Sequence, residues 1–389
     1  MDQPHLAGRL QGIGTTIFAT MSALATRHDA VNLGQGFPDD DGPREVLDAA
    51  IAAIRDGHNQ YAPGIGVPSL REAVAAHQQR FWGVAFDPDD EVTISAGATE
   101  GMAAAVLALC QPGDEVVLFE PWYDAYRADV AMAGGTHRSV GLRPPDFALD
   151  VDELRAAVTD RTRLLVLNSP HNPTGKVFDD DELAAIAQVC VDHDLVALTD
   201  EPYEHLVYEG RHRPLADLPG MRDRTVTISS AAKTFAVTGW KVGWICASPD
   251  LTAAVRAAKQ WLTFSNATPF QHGVAAGLAL PDDYFTGLAS QYRARRDRLC
   301  DGLASVGFDV TPSAGTYFVT VDVRDLGEED GMAFCERLPK EVGVAAIPEV
   351  VFHDDVEAGR PLVRFAFCKT DAMLDEGLRR LQALQRKGA

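Results

Sequence analysis

A lysine among small residues is the feature of this sequence with the clearest potential for chemistry. In segment 229–241, Lys233 follows Ser230 by three positions and precedes Lys241 by eight. A lysine that is poorly surrounded by water loses its proton more easily, and its neutral amine can attack an aldehyde. Ser230 and Lys241 could bind an anion beside it. The pattern predicts a Schiff-base lysine next to a phosphate site, and the alternative is a surface lysine on a turn of small residues.

Three further residues could hold a flat pyridine ring near that lysine. Asp200 ends an apolar strand and could pair with a protonated ring nitrogen, which would keep the ring an electron sink. Glu201 is the alternative acid, but strand alternation points its side chain to the opposite side. Tyr203 and Asn172 could reach a phenolate oxygen of the ring, although Asn172 alternatively belongs only to a tight turn. Together with Lys233, these are the groups that would hold pyridoxal phosphate (PLP).

Other residues could contact the phosphate, the ring and a substrate carboxylate. The glycine-rich segment 97–101 joins a strand to a helix, where backbone N–H groups favour an anion, although glycine is common at such turns. Tyr123 could stack on a ring or be a core aromatic residue. Arg364 lies in an apolar strand and needs an anion, which is either a substrate carboxylate or an acid of the protein. Gly36 lies in a glycine loop whose backbone could approach a substrate.

The candidate residues stand where predicted strands end. From about residue 90, continuous apolar strands alternate with amphipathic helices. This predicts an α/β fold with a mostly parallel sheet that helices cover on both faces. Ligands bind at the carboxyl ends of the strands in such sheets. Since polar, glycine or aromatic residues occur at five strand ends, we expect one shared pocket.

The pattern changes after about residue 285. A long charged helix leads into shorter strands and a last helix, which indicates a smaller α+β domain. The first 40 or so residues have little core of their own and should pack against it. We expect a large domain over residues 45–285, and an N-terminal arm with a small domain over residues 1–44 and 286–389.

Composition restricts the partners that we expect. The 389 residues include 35 basic and 56 acidic side chains, and the formal charge of −21 disfavours nucleic acid and anionic membranes as partners. No segment resembles a signal peptide or approaches the roughly 20 apolar residues of a membrane span. The six cysteines are far apart, which favours core positions. The acidic runs are typical of helix starts, so we predict no metal site, and we expect a cytoplasmic protein.

Taken together, these segments resemble the fold-type I PLP enzymes, specifically the class I/II aminotransferases. The resemblance is to the kynurenine/glutamine aminotransferase branch and to actinobacterial enzymes assigned as N-succinyldiaminopimelate aminotransferases. The matching segments run in family order: VNLGQGFPD (31–39), NQYAPGIGVPSLREA (59–73), GATEG (97–101), EPWYDAY (120–126), NSPHNPTGKVF (168–178), DEPYEHLVY (200–208), SSAAKTFAVTGWKVGW (229–244), GTYF (315–318) and LVRFAFCK (362–369). The resemblance implies a sheet of the seven-stranded type.

The resemblance also implies a role for each candidate residue. Lys233 would form the Schiff base and transfer protons, Asp200 would pair with the pyridine nitrogen, and Tyr203 would contact the phenolate oxygen. The other cofactor contacts would come from Ala98, Thr99, Tyr123, Asn172, Ser230, Lys241 and, from the neighbouring subunit, Tyr61. The α-carboxylate of the substrate would be bound by Gly36, Asn172 and Arg364. A homodimer would then be needed for a complete site.

The implied reaction is ping-pong transamination from an L-amino acid to a 2-oxo acid such as 2-oxoglutarate. The donor stays open between N-succinyl-L,L-2,6-diaminopimelate and methionine, glutamine, kynurenine or aromatic amino acids. Apolar donors would suit four aromatic residues near the expected pocket, Phe37, Trp122, Tyr317 and Phe352. Succinyl-diaminopimelate would need a further cation for its distal carboxylate, and the candidates are Arg9 and Arg127.

Two other activities and three departures from the family pattern complete the expectations. A PLP-dependent β-lyase acting on cysteine conjugates is the alternative enzyme, because the same carbanion can expel a β-leaving group. A PLP-binding regulator would need a DNA-binding segment, which the N-terminus and the acidic charge do not provide.

The departures are Pro202 between the acids and the tyrosine, Lys241 where many relatives have arginine, and Ala98 with Thr99 in place of bulkier pairs. The last pair leaves the substrate open.

Overall fold

The computed structural model describes residue 5, residues 7–11 and residues 14–384. Residues 1–4, 6, 12–13 and 385–389, which belong to the predicted arm and small domain, lie outside it. The strands are β1 (Val31–Asn32), β2 (Val92–Ser95), β3 (Glu115–Glu120), β4 (Thr136–Gly141), β5 (Thr162–Asn168), β6 (Val196–Asp200), β7 (Thr225–Ser230), β8 (Gly243–Cys246), β9 (Phe318–Asp322), β10 (Val344–Ala345), β11 (Ile347–Pro348) and β12 (Leu362–Ala366). The helices are α1 (Ile17–Arg27), α2 (Arg44–Arg55), α3 (Pro68–His77), α4 (Gly97–Leu109), α5 (Asp124–Ala133), α6 (Val151–Ala157), α7 (Asp180–Asp192), α8 (Ala231–Thr234), α9 (Pro249–Lys259), α10 (Thr268–Leu278), α11 (Asp282–Val306), α12 (Gly331–Glu341), α13 (Val356–Gly359) and α14 (Asp371–Leu381).

A seven-stranded sheet forms the centre of the larger part of the fold. Its strand order is β2-β8-β7-β6-β5-β3-β4. Strand β8 runs antiparallel to both of its neighbours, and all pairs from β7 to β4 are parallel. Parallel neighbours need crossover connections, and the helices between the apolar strands supply them. The predicted α/β fold with a mostly parallel sheet is confirmed.

Alternate residues of the central strands face two different hydrophobic layers. In β3, Val117 and Phe119 pack with α6 and α7, whereas Val116 and Leu118 pack with α4, α5 and α9. Strand β5 divides between the two layers in the same way. Both faces of the sheet are therefore buried, which explains why the strands are apolar and why their polar residues occur at the ends.

A second region contains the antiparallel sheet β11-β12-β9 and the parallel pair of β1 with β10. Its hydrophobic core combines Met21 of α1 and Leu33 with residues of α11, α12 and α14. Residues of the N-terminal arm therefore share a core with the C-terminal region. Helix α11 begins in one predicted domain and continues into the other, so a continuous helix joins the two, and their boundaries stay a prediction.

Several features that composition suggested are visible in the structure. The Asp179 carboxylate accepts a hydrogen bond from the Glu182 backbone N–H at 2.8 Å, and the Glu182 carboxylate accepts one from the Asp179 N–H at 3.1 Å. This capping box begins α7 and explains the acidic run there. All six cysteines are buried free thiols. In the described part of the chain, no helix has the length and apolar character that crossing a membrane requires.

Candidate active site

Polar residues from neighbouring strand ends meet at one edge of the large sheet. Asn168 ends β5 and Asp200 ends β6, and the two residues are paired in register. The Asn168 side-chain amide donates to the Asp200 carbonyl oxygen at 2.7 Å. Its carbonyl oxygen accepts from the Asn172 backbone N–H, also at 2.7 Å. These bonds connect the two strand ends to the loop that follows β5.

A cavity of about 350 Å³ opens at this edge. Most of the predicted site residues line it, although they come from segments far apart in the chain. Those residues are Gly36, Ala98, Thr99, Tyr123, Asn172, Asp200, Tyr203, Ser230, Lys233, Lys241 and Arg364. Tyr61 lies outside this cavity. The structure therefore brings together the predicted residues that were expected to come from one subunit.

Lys233 lies on α8, the single turn of helix that follows β7. Its Nζ donates to the Gly36 carbonyl oxygen at 3.3 Å and lies 5.9 Å from the centre of the Tyr203 ring. Burial lowers the pKa of Lys233 to about 8, although the Cys368 thiol and the Asp200 carboxyl act in the opposite direction. A larger share of neutral amine is therefore present near neutral pH than for an exposed lysine, which favours nucleophilic attack.

Asp200 has one carboxylate oxygen in use and one without a partner. The Tyr126 hydroxyl donates to Asp200 Oδ2 at 2.5 Å. Asp200 Oδ1 is buried and has no hydrogen-bond partner among the described residues. Burial raises the pKa of Asp200 to about 6, and the hydrogen bond from Tyr126 opposes that rise. Glu201 instead contacts His212 at 3.0 Å, so Asp200 is the acid that faces the cavity, as strand alternation predicts.

Tyr126 is a site residue that sequence reasoning missed. It lies on α5, and its ring centre is 5.7 Å from that of Tyr123, which was predicted. Tyr123 directly precedes α5 and Tyr126 lies in its first turn, and this three-residue spacing was the signal available in the sequence. Asn168 and Gly97, which the sequence placed at strand ends, line the cavity as well. Further lining residues that were not predicted are Phe18, Gln35, Met102, Ala125, Pro202, Ala232, Thr238 and Phe318, with Phe37 noted only for its aromatic character.

Arg364 is a deeply buried arginine that contacts neutral groups. Its Nη1 donates to Asn172 Oδ1 at 2.7 Å, and its Nη2 donates to the Gly34 carbonyl oxygen at 3.1 Å. The guanidinium lies 3.9 Å from the centre of the Phe318 ring. Its Nε has no hydrogen-bond partner in the described part of the chain. This environment suits a carboxylate arriving from the cavity better than the internal ion pair that was the alternative.

The first turn of α4 and the side chain of Lys241 form a positively charged corner of the cavity. Gly97 has φ +75°, and a Cβ at this position would lie 3.2 Å from Lys241 Nζ. Ala98 and Thr99 follow in the first turn of the 13-residue helix. Backbone N–H groups of a first turn have no partner within the helix, and they favour an anion. The corner can therefore bind a phosphate group.

Gly243 of β8 supports this corner from behind. A Cβ on Gly243 would lie 2.6 Å from the carbonyl carbon of Gly97 and 2.8 Å from the Ala98 nitrogen. We expect Gly243→Ala to displace the turn and to weaken binding of inorganic phosphate by about 10-fold, since overpacking typically costs ~1–3 kcal/mol. Isothermal titration measures the affinity. Gly239→Ala is the matched control, because a Cβ there meets no atom within 4 Å. Unchanged affinity in a folded Gly243→Ala variant would contradict phosphate binding at this corner.

Tyr61 projects from the surface, where 83% of its area is exposed. Its ring centre lies 5.6 Å from that of Phe264. Trp261, Leu262 and Phe264 are exposed as well, so the four side chains form an apolar surface patch. Such clustered exposed apolar residues commonly mark a protein–protein contact.

The four aromatic residues that were expected near a substrate occupy different positions. Phe37 lines the cavity, and the Tyr317 hydroxyl donates to the Gly36 carbonyl oxygen at 2.6 Å. Phe352 stacks on Phe18 with ring centres 5.8 Å apart. Trp122 is buried and lines a second cavity beside the first. Phe37 is therefore the one of the four that contacts the cavity directly.

A buried histidine–glutamate cluster lies behind the strand ends. It consists of two groups of three that share Glu204, each close enough to hold an ion, and they are His77, Glu204 and His205, and Glu201, Glu204 and His212. The Nε2 atoms of His77 and His205 are 2.7 Å apart, a hydrogen-bond distance. The Glu204 carboxylate accepts from Ser229 Oγ at 2.8 Å and from Trp82 Nε1 at 2.5 Å. The cluster side chains are hydrogen-bonded to one another and to neighbouring groups, which explains the cluster as a buried polar network.

Comparison with known proteins agrees with this geometry. The family model for aminotransferase class I and II matches residues 28–381. A probable N-succinyldiaminopimelate aminotransferase from Mycobacterium tuberculosis is 54% identical, covering 98% of this chain and 99% of its own length. The methionine aminotransferase of Escherichia coli is 41% identical, with 97% of each chain covered.

A solved structure shows the same fold. It is the N-succinyldiaminopimelate aminotransferase from Mycobacterium tuberculosis, with a TM-score of 0.96 and 55% identity. The match covers 97% of this chain and 100% of that one. Family, relatives and fold agree over nearly the whole length, and the chain belongs to the class I and II aminotransferases.

Proposed function

We propose that this aminotransferase uses PLP and transfers the amino group of an L-amino acid to a 2-oxo acid by a ping-pong mechanism. The observation that carries the proposal is that one cavity is lined by Lys233 and by Asp200, whose Oδ1 has no hydrogen-bond partner within residues 14–384. Lys233 offers an amine whose pKa is lowered to about 8 by burial, and Asp200 offers a buried anion. An aldehyde and a pyridine nitrogen, the two functional ends of the PLP ring, require these two groups.

The other lining residues also fit PLP. Gly97 keeps open the space beside Lys241 Nζ that a side chain would fill. Burial raises the pKa of Tyr203, so its hydroxyl stays protonated and can donate a hydrogen bond. We propose that Tyr203 and Asn172 contact the phenolate oxygen and that Tyr123 stacks on the ring. The proposed phosphate ligands are Ser230, Lys241 and the backbone of Ala98 and Thr99.

The protein's own residues would bind the substrate and move its protons. Bound PLP supplies an electron-accepting ring that stabilises negative charge at the substrate Cα. Arg364, with Gly36 and Asn172, would bind the α-carboxylate and fix the Cα above Lys233. The neutral Nζ of Lys233 would then take the proton from the substrate Cα and deliver it to C4′, the cofactor carbon that carries the substrate nitrogen. Asp200 would keep the ring nitrogen protonated throughout.

We further propose N-succinyl-L,L-2,6-diaminopimelate as the amino donor and 2-oxoglutarate as the acceptor. The support is the 54% identity to a relative that is named a probable N-succinyldiaminopimelate aminotransferase. Methionine is the second donor to consider, since the relative at 41% identity is named a methionine aminotransferase.

A half-reaction screen tests the donor. Each amino acid is added to the PLP-loaded enzyme without a 2-oxo acid, and the change in cofactor absorbance is followed in single turnovers. We expect succinyl-diaminopimelate to give the highest second-order rate constant, and no response to it would remove this donor. Release of pyruvate from an S-substituted cysteine, without any added 2-oxo acid, would instead support the β-lyase alternative.

We also propose a homodimer in which Tyr61 reaches the phosphate of the neighbouring site. The exposed patch of Tyr61, Trp261, Leu262 and Phe264 supports this, because a dimer interface would cover it. Sedimentation should give twice the chain mass of 41.9 kDa. A monomer that binds PLP tightly would contradict the shared site. The division into residues 45–285 and residues 1–44 with 286–389 is proposed on the same family pattern.

A further inference from the structure

We infer that a second cavity beside the active site binds the distal carboxylate of an acidic amino donor through Arg127. The inference rests on the aminotransferase site proposed above. The second cavity has a volume of about 410 Å³ and shares Tyr123 and Ala125 with the active-site cavity. We name it the annex cavity. Its lining also includes Thr15, Thr16, Thr20 and Arg127.

The two cavities lie on either side of the first turn of α1. Phe18 lines the active-site cavity, whereas Ile17 and Thr20 line the annex cavity. The Phe18 ring centre lies 5.2 Å from the Arg364 guanidinium carbon and 6.4 Å from the centre of the Tyr123 ring. A ligand whose α-carboxylate is bound at Arg364 would have to pass Phe18 and Tyr123 to reach the annex cavity.

Arg127 is the cation that the annex cavity offers to such a ligand. It lies on α5, and no hydrogen bond or ion pair engages its guanidinium among the residues that the structure describes. Among the arginines that do pair with an acid, Arg143 contacts Glu153 at 2.8 Å and Arg224 contacts Asp194 at 2.9 Å. An unpaired guanidinium at the wall of a cavity is ready to bind a carboxylate by two parallel hydrogen bonds.

Two neighbouring groups decide how Arg127 can act. Asp124 also lines the annex cavity, and burial raises its pKa, although the Ala125 backbone N–H acts in the opposite direction. Asp124 forms no ion pair with Arg127, and no other acid in the described part of the chain does so. Arg9, the other candidate from the sequence, lies on a turn that packs against α5 but is not among the residues that line either cavity. The structure therefore favours Arg127.

The substrate class that follows is an α-amino acid whose side chain ends in a carboxylate. Such a donor would place its α-carboxylate at Arg364 and its distal carboxylate at Arg127, with threonine hydroxyls as further donors. An apolar donor such as methionine would occupy the first cavity and make no use of Arg127. The geometry thus separates the two donor classes that the relatives suggest.

Binding of simple acids to the PLP-loaded enzyme tests the inference without turnover. Linear dicarboxylates from glutarate to sebacate are titrated calorimetrically, each against the monocarboxylate of the same carbon number. We expect at least one dicarboxylate to bind more tightly than its monocarboxylate. In Arg127→Gln, the ratio of the two dissociation constants should fall by about 10-fold, the effect of losing one charge-assisted hydrogen-bonded pair. Arg155→Gln is the matched control, because Arg155 is an exposed arginine that pairs with Asp152 and lines neither cavity.

Kinetics give the second measurement. Arg127→Gln should lower kcat/KM for succinyl-diaminopimelate by about 10-fold, mainly through KM, and leave methionine unchanged. No dicarboxylate preference in the unmodified enzyme, or equal losses for both kinds of acid in Arg127→Gln, would overturn the inference. Failure of the proposed function can be told apart from failure of this inference. In that case no amino donor would react, whereas the calorimetric titrations would still measure how Arg127 contributes to dicarboxylate binding.

Discussion

Replacing Lys233 with alanine is expected to abolish transamination, lowering the single-turnover rate by at least about 10⁴-fold, because a covalent nucleophile and a positioned proton carrier are lost together. Both functions depend on the position of one atom, the Nζ that lies 3.3 Å from the Gly36 carbonyl oxygen. The absorbance that results from joining the lysine to PLP should disappear as well. Stopped-flow absorbance with a reactive donor measures both effects.

Two variants show whether the loss concerns chemistry or folding. Lys340→Ala removes an exposed lysine of α12 and should keep full activity and an unchanged melting temperature. Lys233→Arg keeps a positive charge in the cavity but offers no neutral amine at ordinary pH, so it should be as inactive as Lys233→Ala. A small primary amine added to Lys233→Ala should restore part of the proton transfer. Activity above about one per cent in Lys233→Ala without added amine would disprove the assignment.

The sequence predicted the strand ends because their signals are local. Continuous apolar strands, each followed by a helix, require a buried parallel sheet, and such a sheet collects its polar ends at one edge. Asn168, Asp200 and Ser230 were located in this way and are found together. Alternation within β6 also separated Asp200 from Glu201, because neighbouring residues of a strand point to opposite sides.

Contacts between distant segments were not available from the sequence. Tyr126 bonds Asp200 across 74 positions, and Arg364 bonds Asn172 across 192 positions. Each contact depends on how a helix or a second sheet packs against the large sheet, and packing is set by many side chains at once. The same limit applies to Arg127, whose place beside the active site depends on the first turn of α1 packing near α5.

Asp200→Asn is expected to reduce the single-turnover rate by about 10²- to 10³-fold, because removing one partner of a buried ion pair typically costs ~3–5 kcal/mol. The asparagine amide has nearly the same shape as the carboxylate and can keep the contact with Tyr126. Because it carries no negative charge, it cannot stabilise a proton on the ring nitrogen. The rate should fall for every donor alike, since the defect lies in the ring and not in substrate binding. A variant with normal rates would show that the ring nitrogen has another partner.

The pH dependence of PLP binding to the PLP-free protein should identify the carboxylate itself. Burial raises the pKa of Asp200 to about 6, so below this pH the carboxyl is protonated and its attraction for a protonated ring nitrogen is lost. Affinity should therefore fall as the pH drops through about 6, and the difference between the unmodified protein and Asp200→Asn should vanish at lower pH. Fluorescence titrations between pH 5 and 8 measure this difference.

Tyr126→Phe should move that pH dependence in a predictable direction. The hydrogen bond from Tyr126 to Oδ2 favours the ionised carboxylate and therefore lowers the pKa of Asp200. Without it the pKa should rise, so PLP affinity should begin to fall at a higher pH than in the unmodified protein. At pH 8, where Asp200 stays ionised in both proteins, the affinities should differ little. A shift to lower pH, or none, would mean that Tyr126 does not tune the charge of Asp200.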